Sequence, residues 1–354
     1  MKKSEGPWRP TSEYAKAGVD IAASDLAKAR IKGLIEKTFN DSVVGSYGGF
    51  GGLYSLKKLT GCDKILVGSA DGVGTKLKLA FMTGRHDTVG QDLVNHLVND
   101  ILCCGAKPLF FFDYLGLGKV APGIVEDIVK GIAIACREND TALLGGETAE
   151  LPGIYSSGEY DLAGFIVGWV DSDKIIDGKR IKPGDKIIGL ASTGLHTNGY
   201  SLARRAFFEI AGLHPGDTIE ETGTEICREL LTVHRSYSAV ISPLLDEGLV
   251  HGLAHITGGG FEGNVKRILP ESVAAVINTA AWEPPGVFKA IARIASVADE
   301  EMYRVFNMGV GMVLICDAAD SQEIIKQLRG QNAEAFEIGV CRAGNGEVTV
   351  NFER

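Results

Sequence analysis

No apolar run in the chain approaches the ~18 residues needed to span a bilayer, and the opening Met1-Lys-Lys-Ser-Glu-Gly-Pro-Trp-Arg-Pro lacks the apolar segment of a secretory signal. Both absences lead to the expectation of a cytoplasmic address. The seven cysteines are odd in number and scattered, with no Cys-x-x-Cys pair, so buried or idle reduced thiols fit best. Basic runs are missing as well. Lys and Arg total 36 against 45 Asp and Glu, a net charge of −9, and no basic stretch is interleaved with aromatics as in a nucleic-acid binder. An anionic substrate would therefore need local cations or a metal ion where it sits.

Several catalytic signatures are also missing. There is no Gly-x-Ser-x-Gly. Gly68-Ser-Ala-Asp-Gly-Val-Gly-Thr-Lys has the glycines of a phosphate loop in the wrong spacing, and its lysine follows threonine instead of preceding it, so a P-loop NTPase is rejected. His251 and His255 are four apart, as zinc ligands on a helix would be, but Gly252 stands where a metalloprotease needs its glutamate base.

At 354 residues the chain is too long for one typical core. The polar stretch Asp171-Ser-Asp-Lys and Asp177-Gly-Lys-Arg-Ile-Lys-Pro-Gly-Asp predicts a boundary, giving domains 1–171 and 172–354. Residues 1–17 look like a mobile arm, and the spacing of Ile21, Leu26, Ile31, Leu34 and Ile35 predicts a helix over 19–39. Strands are expected at 64–70, 107–115, 141–145 and 161–170, with helices at 90–104 and 121–138 between them. Beyond the boundary come a strand at 186–191, a helix at 200–211, helices within 224–247, and strands near 272–278, 310–316, 336–341 and 347–352. Alternating helices and strands make the class mixed α/β.

Three segments carry the chemistry. The apolar run from Lys64 ends in Asp71-Gly-Val-Gly-Thr-Lys76, which delivers a carboxylate and a lysine to one permissive bend. In the helix at 90–104, a 3.6-residue period sends Leu93, Val94, Leu97, Val98 and Ile101 to one side and gathers Asp92, Asn95, His96 and Asn99 on the other, with Asp100 at the margin. Short oxygen-bearing side chains of this kind suit a hard cation. Gly145-Gly146-Glu147-Thr148 forms a third acidic turn. Mg²⁺ takes few carboxylates and fills its shell with water and phosphate oxygens, so Asp71 and Asp100 from separate elements are adequate ligands. Like charges ~4 Å apart repel by about 4 kcal/mol at an effective dielectric near 20, so these carboxylates would expel ATP without the ion. Gly45-Ser-Tyr-Gly-Gly-Phe-Gly-Gly puts five glycines into eight residues and must be a loop, with backbone N–H groups free to wrap a phosphate. His196 lies on a loop before a helix capped by Thr197 or Asn198, where it could transfer a proton or bind an anion.

Taken together, the motifs resemble one family over nearly the whole chain: the phosphoribosylformylglycinamidine cyclo-ligases, or aminoimidazole ribonucleotide (AIR) synthetases. The marks are Tyr14-Ala-Lys-Ala-Gly-Val-Asp-Ile, Gly48-Gly-Phe-Gly, Asp71-Gly-Val-Gly-Thr-Lys-Leu, Val98-Asn-Asp, Gly145-Gly-Glu-Thr-Ala-Glu-Leu-Pro-Gly, His196-Thr-Asn-Gly-Tyr-Ser-Leu, His255-Ile-Thr-Gly-Gly-Gly and Met302-Tyr-Arg-Val-Phe-Asn-Met-Gly-Val-Gly-Met. The Asp71-Gly-Val-Gly-Thr-Lys and Asn99-Asp100 pieces are shared with relatives such as selenophosphate synthetase, thiamine-monophosphate kinase and the formylglycinamidine ribonucleotide synthetase, whereas the histidine element and the final run point to the cyclo-ligase. Thr197, where many relatives carry serine, and Leu151, where methionine is frequent, are mild departures.

The resemblance implies a two-domain AIR synthase-type fold and a homodimer whose N-terminal sheets join into a barrel. It implies closure of the imidazole ring of formylglycinamidine ribonucleotide with ATP, through phosphorylation of the formamide oxygen, in purine synthesis. Asp71 and Asp100 would hold Mg²⁺, Lys76 would pair with ATP phosphates, and Gly145, Gly146 and Glu147 would approach the nucleotide, with Glu147 on metal or ribose. Asn99 would orient Asp100 or a metal-bound water, and His196 would move a proton or stabilise the activated oxygen. Gly48, Gly49, Phe50 and Gly51, with Thr257 to Gly260 nearby, would hold a phosphate of substrate or nucleotide, supported by Arg304 and Asn307. The alternatives are another ATP-dependent synthetase of the same superfamily, or a non-catalytic nucleotide-binding subunit.

Overall fold

The computed structural model describes residues 12–19 and 21–352, so most of the arm expected at 1–17 lies outside the described residues. The first sheet contains β1 (Val43–Val44), β2 (Gly52–Ser55), β3 (Lys64–Gly72), β4 (Lys107–Leu117), β5 (Ala142–Glu150) and β6 (Tyr160–Asp171), in the order β1-β2-β3-β6-β4-β5. Its one parallel pair, β4 with β5, is joined by the helix Pro122–Glu138, which has proline in its first turn. A separate hairpin is formed by β8 (Thr218–Ile219) and β9 (Thr224–Glu225). The second sheet comprises β7 (Lys186–Ala191), β10 (Gly252–His255), β11 (Val273–Asn278), β12 (Val310–Cys316), β13 (Ala335–Ala343) and β14 (Val348–Asn351), in the order β10-β12-β7-β13-β11-β14. Every residue of β12 is buried, as suits a strand with both faces covered.

The Asp87–Leu102 helix lies along the inner face of the first sheet. Gly164 and Gly168 of β6 make room for it, since a Cβ at either position would collide with Leu93 and Leu97 or with Ile101. Against its other flank the Pro122–Glu138 helix comes to backbone contact. A Cβ on Gly90 would strike the Ile128 carbonyl oxygen and one on Gly131 that of Asp87. The opposite face of the sheet is apolar and open, with Phe112, Leu144 and Phe165 at 40, 59 and 47 % exposure.

Several expectations are corrected here. Gly145 to Thr148 is not a turn but part of β5, which runs on to Glu150 because β4 continues beside it. His255 ends a strand, so its spacing from His251 has no helical meaning. The helix at 200–211 is α-helical over Tyr200–Arg204 and wound as a π-helix over Arg205–Ile210. Helices Gly286–Ala295, Asp299–Val305 and Ser321–Gly330 fill the interval between β11 and β13, which sequence patterning left without helices. Five of the seven thiols are buried, with Cys62 exposed and Cys227 half-buried, and none is in a disulfide. Among the described residues no helix is long and apolar enough to cross a membrane.

Candidate active site

The polar side of the Asp87–Leu102 helix does not meet solvent. Asp92, Asn95, His96, Asn99 and Asp100 are all buried, because the segment 232–237 and β10 of the second half of the chain are laid against them. Buried polar groups must find partners, and here they are supplied across that junction. The Asn95 amide donates to the His234 carbonyl at 2.7 Å, and Asp92 accepts the His234 N–H at 2.7 Å. Asn99 donates to the Arg235 carbonyl at 2.8 Å and accepts the Tyr237 N–H at 2.9 Å.

At the end of β3 this helix meets Asp71. His96 Nε2 stands 3.0 Å from Asp71 Oδ2 and 3.8 Å from Asp100 Oδ2, so carboxylates from two separate elements flank one nitrogen. The second oxygen of each is already engaged, Asp71 Oδ1 by the Gly72 N–H at 2.7 Å and Asp100 Oδ1 by His255 Nδ1 at 2.8 Å. Burial works to raise the Asp71 carboxyl, but His96, the Gly72 N–H and His255 outweigh it and hold the group below the ordinary carboxylate range. Burial disfavours a charge on His96 too, yet Asp100 and Asp71 overcome that and push its imidazole up to about 9. Asp71, Gly72, Gly74, His96, Thr197, Asn198 and Thr257 line an open cleft of about 420 Å³. Asp71 stands at the wall of this cleft, with Asp100 buried behind His96; among the described residues His96, Asp100 and His255 are close enough to one another to hold a cation together.

A second cavity of about 550 Å³ shares Asn198 with this cleft: Gly48, Gly258, Gly259 and Gly263 surround it with Lys266, Arg267 and Arg304, and with the acids Asp25 and Glu262. Four glycines expose backbone there, and three cations against two carboxylates leave the net local positive charge that an acidic chain needs for an anionic substrate. The Gly48–Gly51 loop also touches the acidic end, where Ser69 Oγ lies 3.4 Å from both the Phe50 carbonyl and Asp100 Oδ2. Arg267 stacks over the Phe50 ring at 5.0 Å.

Beneath the cleft His96, His196, His234 and His255 form a buried cluster. His234 and His255 approach Nε2 to Nε2 at 3.0 Å, His234 and His196 stack with centroids 3.9 Å apart, and Thr197 Oγ1 links His96 Nδ1 at 2.7 Å with His234 Nδ1 at 3.4 Å.

Asp71, Asp100 and His96 are thus brought together, as are Gly48, Thr257, Gly258, Gly259 and Arg304 around one continuous cleft. Other expected residues are placed differently. Lys76 is fully buried, paired with Asp92 at 2.8 Å and donating to the Thr232 carbonyl at 2.7 Å and that of His196 at 3.3 Å. The 3₁₀ turn Gly74–Lys76 aims it into the junction between the two halves of the chain, where Asp92 and two backbone carbonyls take its ammonium. His196 is turned inward as well. Its backbone is left-handed (φ 61°), Nε2 accepts the Thr193 N–H at 3.2 Å, and Nδ1 has no partner among the described residues. Burial pushes its imidazole well below the ordinary range, so it stays neutral and out of reach of the cleft. Asn99 spends its amide on the 234–237 segment, not on Asp100 or water. Asn307 holds the 192–194 loop through Ser192 and the Gly194 carbonyl. Glu147 is in register with Tyr114, Ala163 and Gly72, three strands or roughly 14 Å from Asp71's strand and on the other sheet face.

His255 and His234 were not foreseen as part of the site. His255 carried a readable signal, a strand running into Thr257-Gly-Gly-Gly just as β3 runs into Gly72 and Gly74. His234 carried none.

Known proteins resemble the chain along nearly its whole length. Residues 53–170 match the model of the AIR synthase related protein N-terminal domain, and residues 182–351 that of its C-terminal domain. The phosphoribosylformylglycinamidine cyclo-ligase of Trichlorobacter lovleyi is 49 % identical over 335 residues, covering 95 % of this chain and 96 % of that protein. That of Carboxydothermus hydrogenoformans is 49 % identical over 338 residues, covering 96 % and 98 %. The chain belongs to the phosphoribosylformylglycinamidine cyclo-ligase family. The fold of this family member also resembles thiamine-monophosphate kinase from Stenotrophomonas maltophilia (TM-score 0.63, 17 % identity, 92 % and 95 % of the two chains). A hydrogenase maturation protein HypE solved in complex with ATP is similar to the same degree (TM-score 0.59, 18 % identity, 94 % and 92 %).

Proposed function

We propose that this chain is the ATP-dependent cyclo-ligase of purine biosynthesis, converting formylglycinamidine ribonucleotide to 5-aminoimidazole ribonucleotide with release of ADP and phosphate. The observation that carries the reading is the two-ended cleft, acidic at Asp71 with Asp100 behind His96, and basic, glycine-lined, at Gly48, Gly258, Gly259, Lys266, Arg267 and Arg304. One end suits a metal-bound triphosphate and the other a ribose phosphate, with Asn198 between them. The identity to named cyclo-ligases along almost the whole chain favours this substrate over those of other ATP-dependent synthetases, and the intact site disfavours a non-catalytic subunit.

In the reaction the γ-phosphoryl group of ATP passes to the formamide oxygen. The amidine nitrogen then attacks the activated carbon, the carbon–oxygen bond breaks, and phosphate departs with a proton lost from nitrogen. Asp71 and Asp100 would hold Mg²⁺, which when bound supplies neutralisation of phosphoryl charge. The protein's own share is positioning and electrostatics. The basic end fixes the substrate phosphate, the Gly48–Gly51 loop closes over Asp100 through Ser69, and the β10-to-258 turn presents Thr257 and Gly258 to the junction of the two ends. Lys76 and Asn99 act by clamping the two halves of the chain so that Asp71 and Thr257 face each other.

A homodimer belongs to the same reading. The open apolar face of the first sheet, bearing Phe112, Leu144 and Phe165, is what a second copy would cover, and it would bring a partner's β5 edge with Gly145, Gly146 and Glu147 into play. The division between the domains is placed near residue 172, and the compartment is the cytoplasm. The test is ADP release by the purified chain with Mg²⁺ and ATP. ADP should appear only when formylglycinamidine ribonucleotide is present, with aminoimidazole ribonucleotide in equal amount; ADP formation indifferent to that substrate removes the reading.

A further inference from the structure

Two turns meet where the ends of the cleft join, and one side chain there has hydrogen-bonding capacity left over. The turn 194–199 is held in an uncommon backbone conformation: His196 is left-handed (φ 61°), and so is Gly199 (φ 79°), where a Cβ would strike the Phe306 ring. Asn307 fixes the start of the turn by donating to the Gly194 carbonyl at 2.9 Å. Backbone kept in sparsely populated regions by its surroundings clusters at sites where a side chain has to be aimed. Here the turn sends His196 and Thr197 inward to the buried histidines and leaves Asn198 half-buried in the cleft, the one described residue that lines both the acidic and the basic end. Opposite it, a Cβ built on Gly258 would lie 3.2 Å from Asn198 Oδ1, so the 257–259 turn comes close to the carboxamide without a side chain against it.

The neighbours of Asn198 have used their polar atoms. Thr197 Oγ1 is shared between His96 and His234, Thr257 Oγ1 donates to Asn264 Oδ1 at 3.3 Å, and the Thr257 and Gly258 carbonyls accept from Asn264 Nδ2 at 3.3 and 3.4 Å. The Asn198 carboxamide has a single long contact, from Nδ2 to Thr197 Oγ1 at 3.5 Å, and its Oδ1 accepts no hydrogen bond among the described residues. A carboxamide oxygen is a strong neutral acceptor, and this one is left to a ligand at the junction of the two ends.

The covalent order of the substrate decides which group arrives there. Its phosphate and ribose are joined to one nitrogen of the amidine, and the formamide lies beyond the amidine carbon. With the phosphate at the basic end and the formamide oxygen turned to the phosphoryl donor at the acidic end, the amidine falls between them. We propose that Asn198 orients this amidine, its Oδ1 accepting an N–H of the nitrogen that stays outside the ring, so that the ribose-bearing nitrogen faces the activated carbon. The inference rests on the cyclo-ligase reading and adds to it the residue that aims the nucleophile. A neutral carboxamide fits the task, because a carboxylate at the same place would favour the protonated amidine, which has no lone pair free for attack.

The experiment measures ADP and aminoimidazole ribonucleotide formed by the full-length wild type, Asn198→Ala and Asn198→Asp at saturating ATP. When the nucleophile is badly aimed, water takes its place: its oxygen bonds to the activated carbon, the bond from that carbon to the phosphate oxygen breaks, and its two protons pass to the departing phosphate and to the formamide nitrogen, which restores the formamide. The wild type should release ADP and product in equal amounts. Asn198→Ala should raise the KM for formylglycinamidine ribonucleotide at least ~10-fold and release roughly two or more ADP per product. Asn198→Asp, nearly the same in shape, should leave that KM within about twofold and slow product formation at least ~10-fold. If Asn198→Ala does not fold, judged by circular dichroism, Asn198→Ser replaces it. A merely structural role lowers ADP and product together, so equal amounts of the two from Asn198→Ala overturn the inference while the cyclo-ligase reading stands. Asn198→Asp turning over at the wild-type rate overturns it as well. A wild type without substrate-dependent ADP release overturns it together with the reading on which it rests.

Discussion

Lys76 shows how far a residue's chemistry can be separated from its place. As part of Asp71-Gly-Val-Gly-Thr-Lys76 it reads as a phosphate ligand, yet its ammonium is wholly buried against Asp92. Burial lowers the Lys76 ammonium and raises the Asp92 carboxyl, and their pairing works against both shifts. Removing one partner leaves an uncompensated buried charge, so Lys76→Met should cost about 3–5 kcal/mol of stability, whereas Lys76→Met with Asp92→Leu should recover much of it. Denaturant unfolding of the three proteins checks this. A Lys76→Met variant of normal stability, with only a raised KM for ATP, would return the lysine to the phosphates. Asp71 and Asp100 were legible because a strand running into glycines and a cluster of short oxygens on a helix are local patterns. The inward turn of His196 was not, because a positive φ at a histidine and the stacking of His234 upon it are set by contacts some forty residues apart in the chain.

At the scale of elements, hydrophobic periodicity placed most of the strands. β7 and β12 coincide with their expected spans, and β3, β4 and β6 differ by one or two residues at their ends. The period also sorted the Asp87–Leu102 helix into an apolar and a polar side. It could not show that both sides are buried, since a second half of the chain supplies partners for the polar one. Nor could it show the backbone contact with the Pro122–Glu138 helix, which depends on two glycines 41 positions apart at Gly90 and Gly131. Gly131→Ala should therefore destabilise by about 1–3 kcal/mol through overpacking. Gly123→Ala in the same helix meets nothing within 4 Å and should be close to neutral. Urea midpoints for the two variants test the contact, and equal midpoints would deny it.

For the whole molecule, the arrangement follows from two sheets whose strand ends are brought face to face. Asp71 stands one residue before the end of β3 and His255 ends β10, and the helix Asp87–Leu102 lies between, carrying His96 and Asp100 to both. A pairing of two copies is suggested in the sequence only by family resemblance, because an exposed apolar strand face looks in sequence like a buried one. If the open face with Phe112, Leu144 and Phe165 is covered by a second copy, sedimentation of the wild type should give a dimer at micromolar concentration. Phe165→Glu should then give a folded monomer, and a wild-type monomer would contradict the pairing. Phosphoryl transfer in this protein depends on the acidic end of the cleft if Asp100 helps to carry the metal ion. The most direct test is the rate of substrate-dependent ADP release by Asp100→Asn, compared with wild type at saturating Mg²⁺ and matched thermal stability. Loss of electrostatic stabilisation for phosphoryl transfer predicts a fall of at least ~100-fold, and a variant that turns over at the wild-type rate would contradict the assignment of the catalytic centre.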